Sequence, residues 1–302
     1  MIHGFIALAL STLLAQAPAD ARQNRTPQTD QTVPAARGTR LAIENKAGEI
    51  VIHAWEKDAV RVQARHSSRA KINVRTDANV INVDAVTDRG PTGSIDYDIS
   101  APAWMPIKVE GQYDYISVEG VQGEISVETV RGDIVLKNVG SAIAKSIEGA
   151  IEVDGARGKL TLSSVNEEIK VTGATGEVVA DTTNGEVTLT RMEASAVEVA
   201  TVNGDVVFEG RLVDRGHYSF TNHDGDIELL VPENSNATFN VRAYSGEFST
   251  ALPVKGPDAS QVRRGRRVSY TLGNGSAEVE LESFGGDIKL RRPGAARTRR
   301  DQ

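Results

Sequence analysis

A short signature recurs through the middle of this chain: glycine, an acid, a β-branched residue, any residue, and a further apolar or β-branched one. It stands at 123–127, 132–136, 176–180, 185–189, 204–208 and 225–229. The interval is mostly nine residues, yet alternate copies resemble each other better than neighbours do. One class carries Ser or Thr three positions before the glycine slot, at Thr129, Ser146, Ser164, Thr182 and Thr201. Its first apolar positions are Ile116, Ile134, Ile151, Ile169, Val187, Val206, Ile227 and Phe248. The other class runs Ile125, Ile143, Leu160, Val178, Val197, Tyr218 and Phe239. The working period is therefore about 18 residues, two strands and two turns, and such a unit cannot bury its apolar side alone.

Stacking buries it. Successive coils would lie about 4.8 Å apart, with Ile134 and Leu136 pointing inward between Asp133 and Val135 pointing out. The expected fold is all-β, a parallel β-solenoid of about 18-residue two-strand coils over residues 111–250. Asn184-Gly185 and Asn203-Gly204 also suit two-residue hairpin turns, so an antiparallel meander is the competing arrangement. The alternation of classes favours the stack, because stacked coils place like above like.

Before the repeat, residues 38–110 hold period-2 runs of Val and Ile at irregular spacing, bounded by Gly, Asn, Asp and Pro, and read as an irregular β region. After it, residues 251–292 read as a β cap interrupted by a basic loop, and 293–302 as a disordered basic tail. No stretch has helical periodicity.

The N-terminus carries a compartment signal. An apolar run over 5–14 is short for a membrane span, and small-residue triplets follow at 15–17 and 19–21. Residues 1–21 are expected to be a signal peptide cut after Ala21, with a disordered Gln/Thr/Pro-rich linker over 22–37. The chain is thus expected to be exported, to the periplasm or cell surface, with no transmembrane span in its mature part. With no cysteine among 302 residues, disulfides, thiolate metal sites and cysteine nucleophiles are excluded. Five histidines leave little for proton transfer near neutral pH, and a net charge of −7 argues against a nucleic-acid partner.

The chain resembles the bacterial putative-adhesin family of β-strand-repeat proteins, a domain of unknown function, over roughly 39–292. The residues that carry the resemblance are Gly48-Glu-Ile-Val-Ile-His-Ala-Trp55 followed by Val60-Arg-Val62, the Ala-Pro-x-x-Met-Pro-Ile-Lys-Val run ending at Val109, the Gly-acid ladder, and Ser283-Phe-Gly-Gly-Asp-Ile-Lys-Leu290. The resemblance implies an envelope location and a binding or structural role, and some relatives are linked to envelope-stress signalling.

Enzyme motifs are lacking. There is no Gly-x-Ser-x-Gly elbow, His-Glu-x-x-His pair or phosphate-cradling glycine loop, and no Gly-Gly-x-Gly-x-Asp turn of a calcium-binding β-roll. The chain is read as a non-enzyme with no catalytic residue, no cofactor and no metal site. Two surfaces are candidate binding sites. One is an outward acidic column, Asp133, Glu168, Glu186, Asp205 and Asp226, in which like charges would stack and call for an offset such as Ca2+ or hydrogen bonds from turn amides. The other is the basic loop of Arg263, Arg264, Arg266 and Arg267, suited to anionic polymers or headgroups. Asn166, Asn184 and Asn203 occupy matching turn positions and are expected to form a side-chain ladder. The function expected is a cell-envelope binding or scaffolding protein, its partner an envelope glycan, an anionic lipid headgroup or an envelope protein. The alternatives are a polysaccharide-cleaving β-helix enzyme and an envelope-stress sensing module.

Overall fold

The computed structural model describes residues 29–257 and 265–294. The first part of the chain supplies β1 (Thr29–Pro34), β2 (Arg40–Glu44), β3 (Ala47–Trp55), β4 (Ala59–Arg65), β5 (Ala70–Asp77) and β6 (Val80–Thr87). Next come β7 (Ile95–Pro102), β8 (Ile107–Glu110), β9 (Tyr113–Glu119), β10 (Ile125–Arg131), β11 (Ile134–Val139) and β12 (Ala142–Glu148). They are followed by β13 (Ile151–Ala156), β14 (Lys159–Ser163), β15 (Ile169–Thr182), β16 (Val187–Asn203), β17 (Val206–Gly210) and β18 (His217–Asp224). The last are β19 (Ile227–Leu230), β20 (Ala237–Ala243), β21 (Phe248–Thr250), β22 (Val268–Leu272), β23 (Ala277–Ser283) and β24 (Ile288–Arg291). No helix of the described residues is long and apolar enough to cross a membrane.

The pairing is parallel through the repeat, which makes the fold β-solenoid-like and rules out the meander. Val187 pairs with Val206 on a parallel neighbour, and both are fully buried. Two runs of strands result. One runs β5, β6, β2, β8, β10, β12, β14, the second half of β15, the second half of β16, β18, β23, β20, β22. The other runs β1, β4, β7, β3, β9, β11, β13, the first half of β15, the first half of β16, β17, β19, β24, β21. Alternate residues of both runs are buried and form one core cluster, since period 2 sends every second side chain inward.

The expected columns hold with two corrections. Ile125 pairs with Ala142, not Ile143, so Ala142 takes the inward slot and Ile143 faces outward. That coil is one residue shorter than its neighbours, and period 2 turns a one-residue slip into a change of face. Second, Phe248 does not stack on Ile227. Ile288 lies between them, paired with both, and Val279 likewise lies between Tyr218 and Phe239. The last coil of the chain is therefore inserted under the coil that precedes it in sequence.

The other end repeats the device. The first coil, β2 and β3, is flanked by the coil of β6 and β7 on one side and that of β8 and β9 on the other. So the region read as irregular contributes parallel coils to the same stack, and among the described strands antiparallel pairing is confined to β1 with β4, β4 with β7, β5 with β6 and β20 with β22. The stretch read as a linker also contributes a strand, because Thr29–Pro34 pairs with β4 through main-chain bonds that composition does not reveal.

Candidate functional site

Each coil turns twice, and the turn between the first run and the second, here the near corner, is built from side-by-side ladders. The innermost is Thr129, Ser146, Ser164, Thr182, Thr201, Asn222 and Ser283, all buried. Their side chains satisfy turn carbonyls, some of the preceding coil, as Thr201 donates to Gly185 O at 3.2 Å and Ser164 to Gly149 O at 3.4 Å, and some of their own turn, as Ser283 donates to Gly286 O at 2.7 Å. A buried carbonyl left unpaired would cost about 1–3 kcal/mol, so this slot calls for a short side chain that can donate a hydrogen bond, a hydroxyl in most coils and the Asn222 amide in one.

The glycine slot is steric. A Cβ on Gly204 would lie 2.1 Å from Gly185 O, and one on Gly225 would lie 2.4 Å from Gly204 O, with φ at +128° besides. The acidic residue after it caps the next coil. Asp133 Oδ1 accepts from Ala150 N at 2.9 Å, Asp205 Oδ1 from Asp226 N at 2.8 Å, Asp226 Oδ1 from Asp287 N at 2.8 Å, and Asp287 Oδ1 from Glu247 N at 3.0 Å. Lys289 Nζ adds a contact to Asp226 Oδ2 at 2.5 Å. Asp133, Asp205 and Asp226 of the carboxylate column are thus offset by amide donors and, at Asp226, a lysine, while Glu168 is exposed. Glu186 is half-buried and accepts from Thr188 Oγ1 at 2.5 Å.

The asparagine ladder forms as expected: Asn184 Nδ2 donates to Asn166 Oδ1 at 3.1 Å, and Asn203 Nδ2 to Asn184 Oδ1 at 2.8 Å. Beside it, one residue after the innermost slot of each coil, stands a ladder that sequence reading missed. Following the register it is Val130, Ile147, Val165, Thr183, Val202, His223, Phe284 and Tyr244. His223 stacks on Phe284 with centroids 5.5 Å apart, and Phe284 on Tyr244 at 4.5 Å. Of nine large apolar side chains that stand exposed among the described residues, seven lie at this corner: Tyr113, Tyr115, Val130, Ile147, Val165, Val202 and Phe284. Eight coils at about 4.8 Å each make a straight ridge of roughly 34 Å. Singly exposed apolar residues need no explanation, whereas a contiguous row marks an interaction surface.

The two broad outer faces differ from the ridge. They are laced by ion pairs between adjacent strands, such as Lys145 with Glu128 at 2.8 Å, Lys159 with Glu177 at 3.3 Å and Lys170 with Glu152 at 3.8 Å. Exposed pairs of this kind stabilise little, about 0–1 kcal/mol, and present a solvated surface.

A cleft of about 680 Å³ opens beside the near corner, lined among others by Glu44, Asn45, Arg75, Asn82, Asp84 and Thr92. At its edge lies the fully buried carboxylate of Asp114. Asn45 Nδ2 donates to its Oδ1 at 2.6 Å and to Ile95 O at 3.0 Å, and Gln112 N donates to its Oδ2 at 3.0 Å. Burial pushes the Asp114 pKa up, against the pull of these donors. The group ties three coils together where the first coil is inserted. Tyr97 is buried, its hydroxyl has no hydrogen-bond partner among the described residues, and burial, then the nearby Asp84 and Asp114, raise its pKa.

The basic loop is divided. Arg263 and Arg264 lie outside the described residues. Arg266 is exposed, and Arg267 is exposed and pairs with Glu280 at 3.3 Å. The two histidines nearest the acids do not converge: His217 faces Glu278 at 3.7 Å on a broad face, while His223 sits in the ridge. Among the described residues no group of three or more His, Asp or Glu is placed to hold a metal ion.

A family model described as Toastrack DUF4097 matches residues 38–291. The chain belongs to this family. The Toastrack match runs from just before β2 to the end of β24, so it takes in both inserted coils. The Gly-acid ladder and the flanking motifs quoted above all fall inside it. A search of curated proteins finds no match. Among solved structures, the Toastrack chain is similar to a putative adhesin from Bacteroides fragilis NCTC 9343, with 10% identity, covering 87% of this chain and 96% of that one, and a TM-score of 0.41. It is also similar to a putative cell adhesion protein from Clostridium sporogenes ATCC 15579, with 10% identity, coverage of 87% and 99%, and a TM-score of 0.23.

Proposed function

We propose that this Toastrack protein is a non-catalytic binding or scaffolding protein of the cell envelope, exported to the periplasm or cell surface, and that it lays its near-corner ridge along an extended partner. The observation that carries the reading is that, among the described residues, five of the nine exposed large apolar side chains, Val130, Ile147, Val165, Val202 and Phe284, stand in that one straight row, with Tyr113 and Tyr115 at the same corner. A row one side chain wide and eight coils long matches something linear, an envelope glycan or a segment of an envelope protein, better than a compact small molecule, which needs a concave pocket. The amide edges of Asn166, Asn184 and Asn203 run alongside and offer hydrogen bonds at the coil spacing. Arg266 and the rest of the basic loop would add attraction for an anionic polymer or headgroup, weakened by salt.

The test is a titration of the purified chain against envelope polysaccharides, envelope protein fractions and anionic vesicles. Saturable binding with no new reducing ends is the expected result. Release of reducing ends from any polysaccharide would overturn the reading in favour of a glycan-cleaving enzyme.

A further inference from the structure

The two runs of strands end at different heights. Counted outward from the first coil, the second run continues through β7, β4 and β1, whereas the first continues only through β6 and β5. Among the described residues, no strand therefore takes the position beside β5 that faces β1. The burial pattern of β1 agrees. Val60, Val62 and Ala64 of β4 are buried, but their neighbours on the same face of β1, Val33, Gln31 and Thr29, are half-buried or exposed.

The four outer strand edges of the stack are not alike. β1 has six residues and closes in Pro34, β21 has three, and β22 is bridged by Lys255, which exchanges main-chain bonds of 2.8 Å with Thr271. β5 has eight residues and, among the described residues, pairs along one side only, with β6. A long uncovered edge offers a row of main-chain donors and acceptors to another strand.

We infer that this notch beside β5 is an acceptor site for one extended strand of a partner protein, with apolar residues alternating with carboxylates. The inward row of the notch is Ala70, Ile72 and Val74, backed by Val33, which selects apolar side chains at every second position. The outward row is Lys71, Asn73, Arg75 and Asp77. Asp84 already engages Asn73 at 3.1 Å and Arg75 at 2.9 Å, while Lys71 has no ion pair among the described residues. A carboxylate opposite Lys71 completes the row. A second copy paired through its own β5 does not fit, because its β4 would fall in the position that β1 holds.

The probe is an acetylated Val-Glu octapeptide, with a Val-Lys octapeptide and a Val-Glu peptide carrying a central proline as controls. Hydrogen exchange of the purified chain reads the result. The half of the β5 amides that point away from β6 exchange freely in the chain alone and slow when the Val-Glu peptide is added, and neither control does this. Lys71→Glu weakens the peptide by about twofold to fivefold, the range of one exposed ion pair. No slowing at saturating Val-Glu peptide would overturn the proposal. So would those amides being protected already without peptide, which would mean the chain's own terminal residues fill the notch, and so would equal binding of the Val-Lys peptide.

Discussion

Gly204 sets a tight steric limit in the repeat, since a Cβ there would lie 2.1 Å from Gly185 O and the stacked main chains have no room to part. Gly204→Ala is expected to lower stability by about 1–3 kcal/mol, the usual cost of overpacking, as read by urea denaturation. An unchanged midpoint would mean the coils are more loosely stacked than described. Asp114 sets a chemical limit. Its folded pKa is raised by burial, so between the unfolded value near 3.8 and the folded value the folded chain holds a proton that the unfolded chain has lost. Stability therefore falls as pH rises through that window. Asp181, raised by burial and then by Glu198, acts in the same sense. Asp30 and Glu148, held down by Arg61 and Arg131, act in the opposite sense but are exposed and screened. Thermal melts from acid to neutral pH should show a fall that is smaller in Asp114→Asn than in the parent, and an identical slope in the two would count against the buried carboxylate. The ladder residues were readable from sequence because hydroxyl, amide and glycine each fill one slot at a fixed interval. Asp114 and Asn45 were not, since nothing in a lone Asp or Asn signals burial between coils distant in sequence.

At the scale of elements, the period made the columns legible and the turns made them slip. Ile143 looked like the core residue of its coil because it is large and β-branched, yet the shorter coil places Ala142 inward. The coil order at both ends was hidden for a different reason. A spacing of 21 from Ile227 to Phe248 continues the repeat perfectly well, and only the long-range pairing of Ile288 with both shows the insertion. The cysteine-free chain gives a clean test. Adjacent strands bring Cα atoms about 4.8 Å apart, within disulfide range, and strands two apart do not. His223→Cys with Phe284→Cys should cross-link on mild oxidation, while His223→Cys with Tyr244→Cys should not; the reverse would restore the sequential order.

For the whole molecule, the insertions place the first coil, β2 and β3, and the last, β23 and β24, inside the stack and leave four distinct surfaces: two ion-paired faces, a ridge and a notch. The ridge went unread in the sequence because each coil gives it one residue, and Val, Ile, Thr, His, Phe and Tyr share no single chemistry beyond their place after the innermost slot. It nevertheless carries the functional claim, and that claim stands or falls on position. The direct measurement compares binding of the same envelope ligands by the parent chain, by the triple variant Ile147→Asp, Val165→Asp and Val202→Asp, and by a face variant, Glu152→Ala with Lys170→Ala. The ridge variant should lose at least tenfold in affinity, about 1.4 kcal/mol, with the fold intact by circular dichroism, and the face variant should bind as the parent does. Loss in the face variant with full binding by the ridge variant would contradict the account.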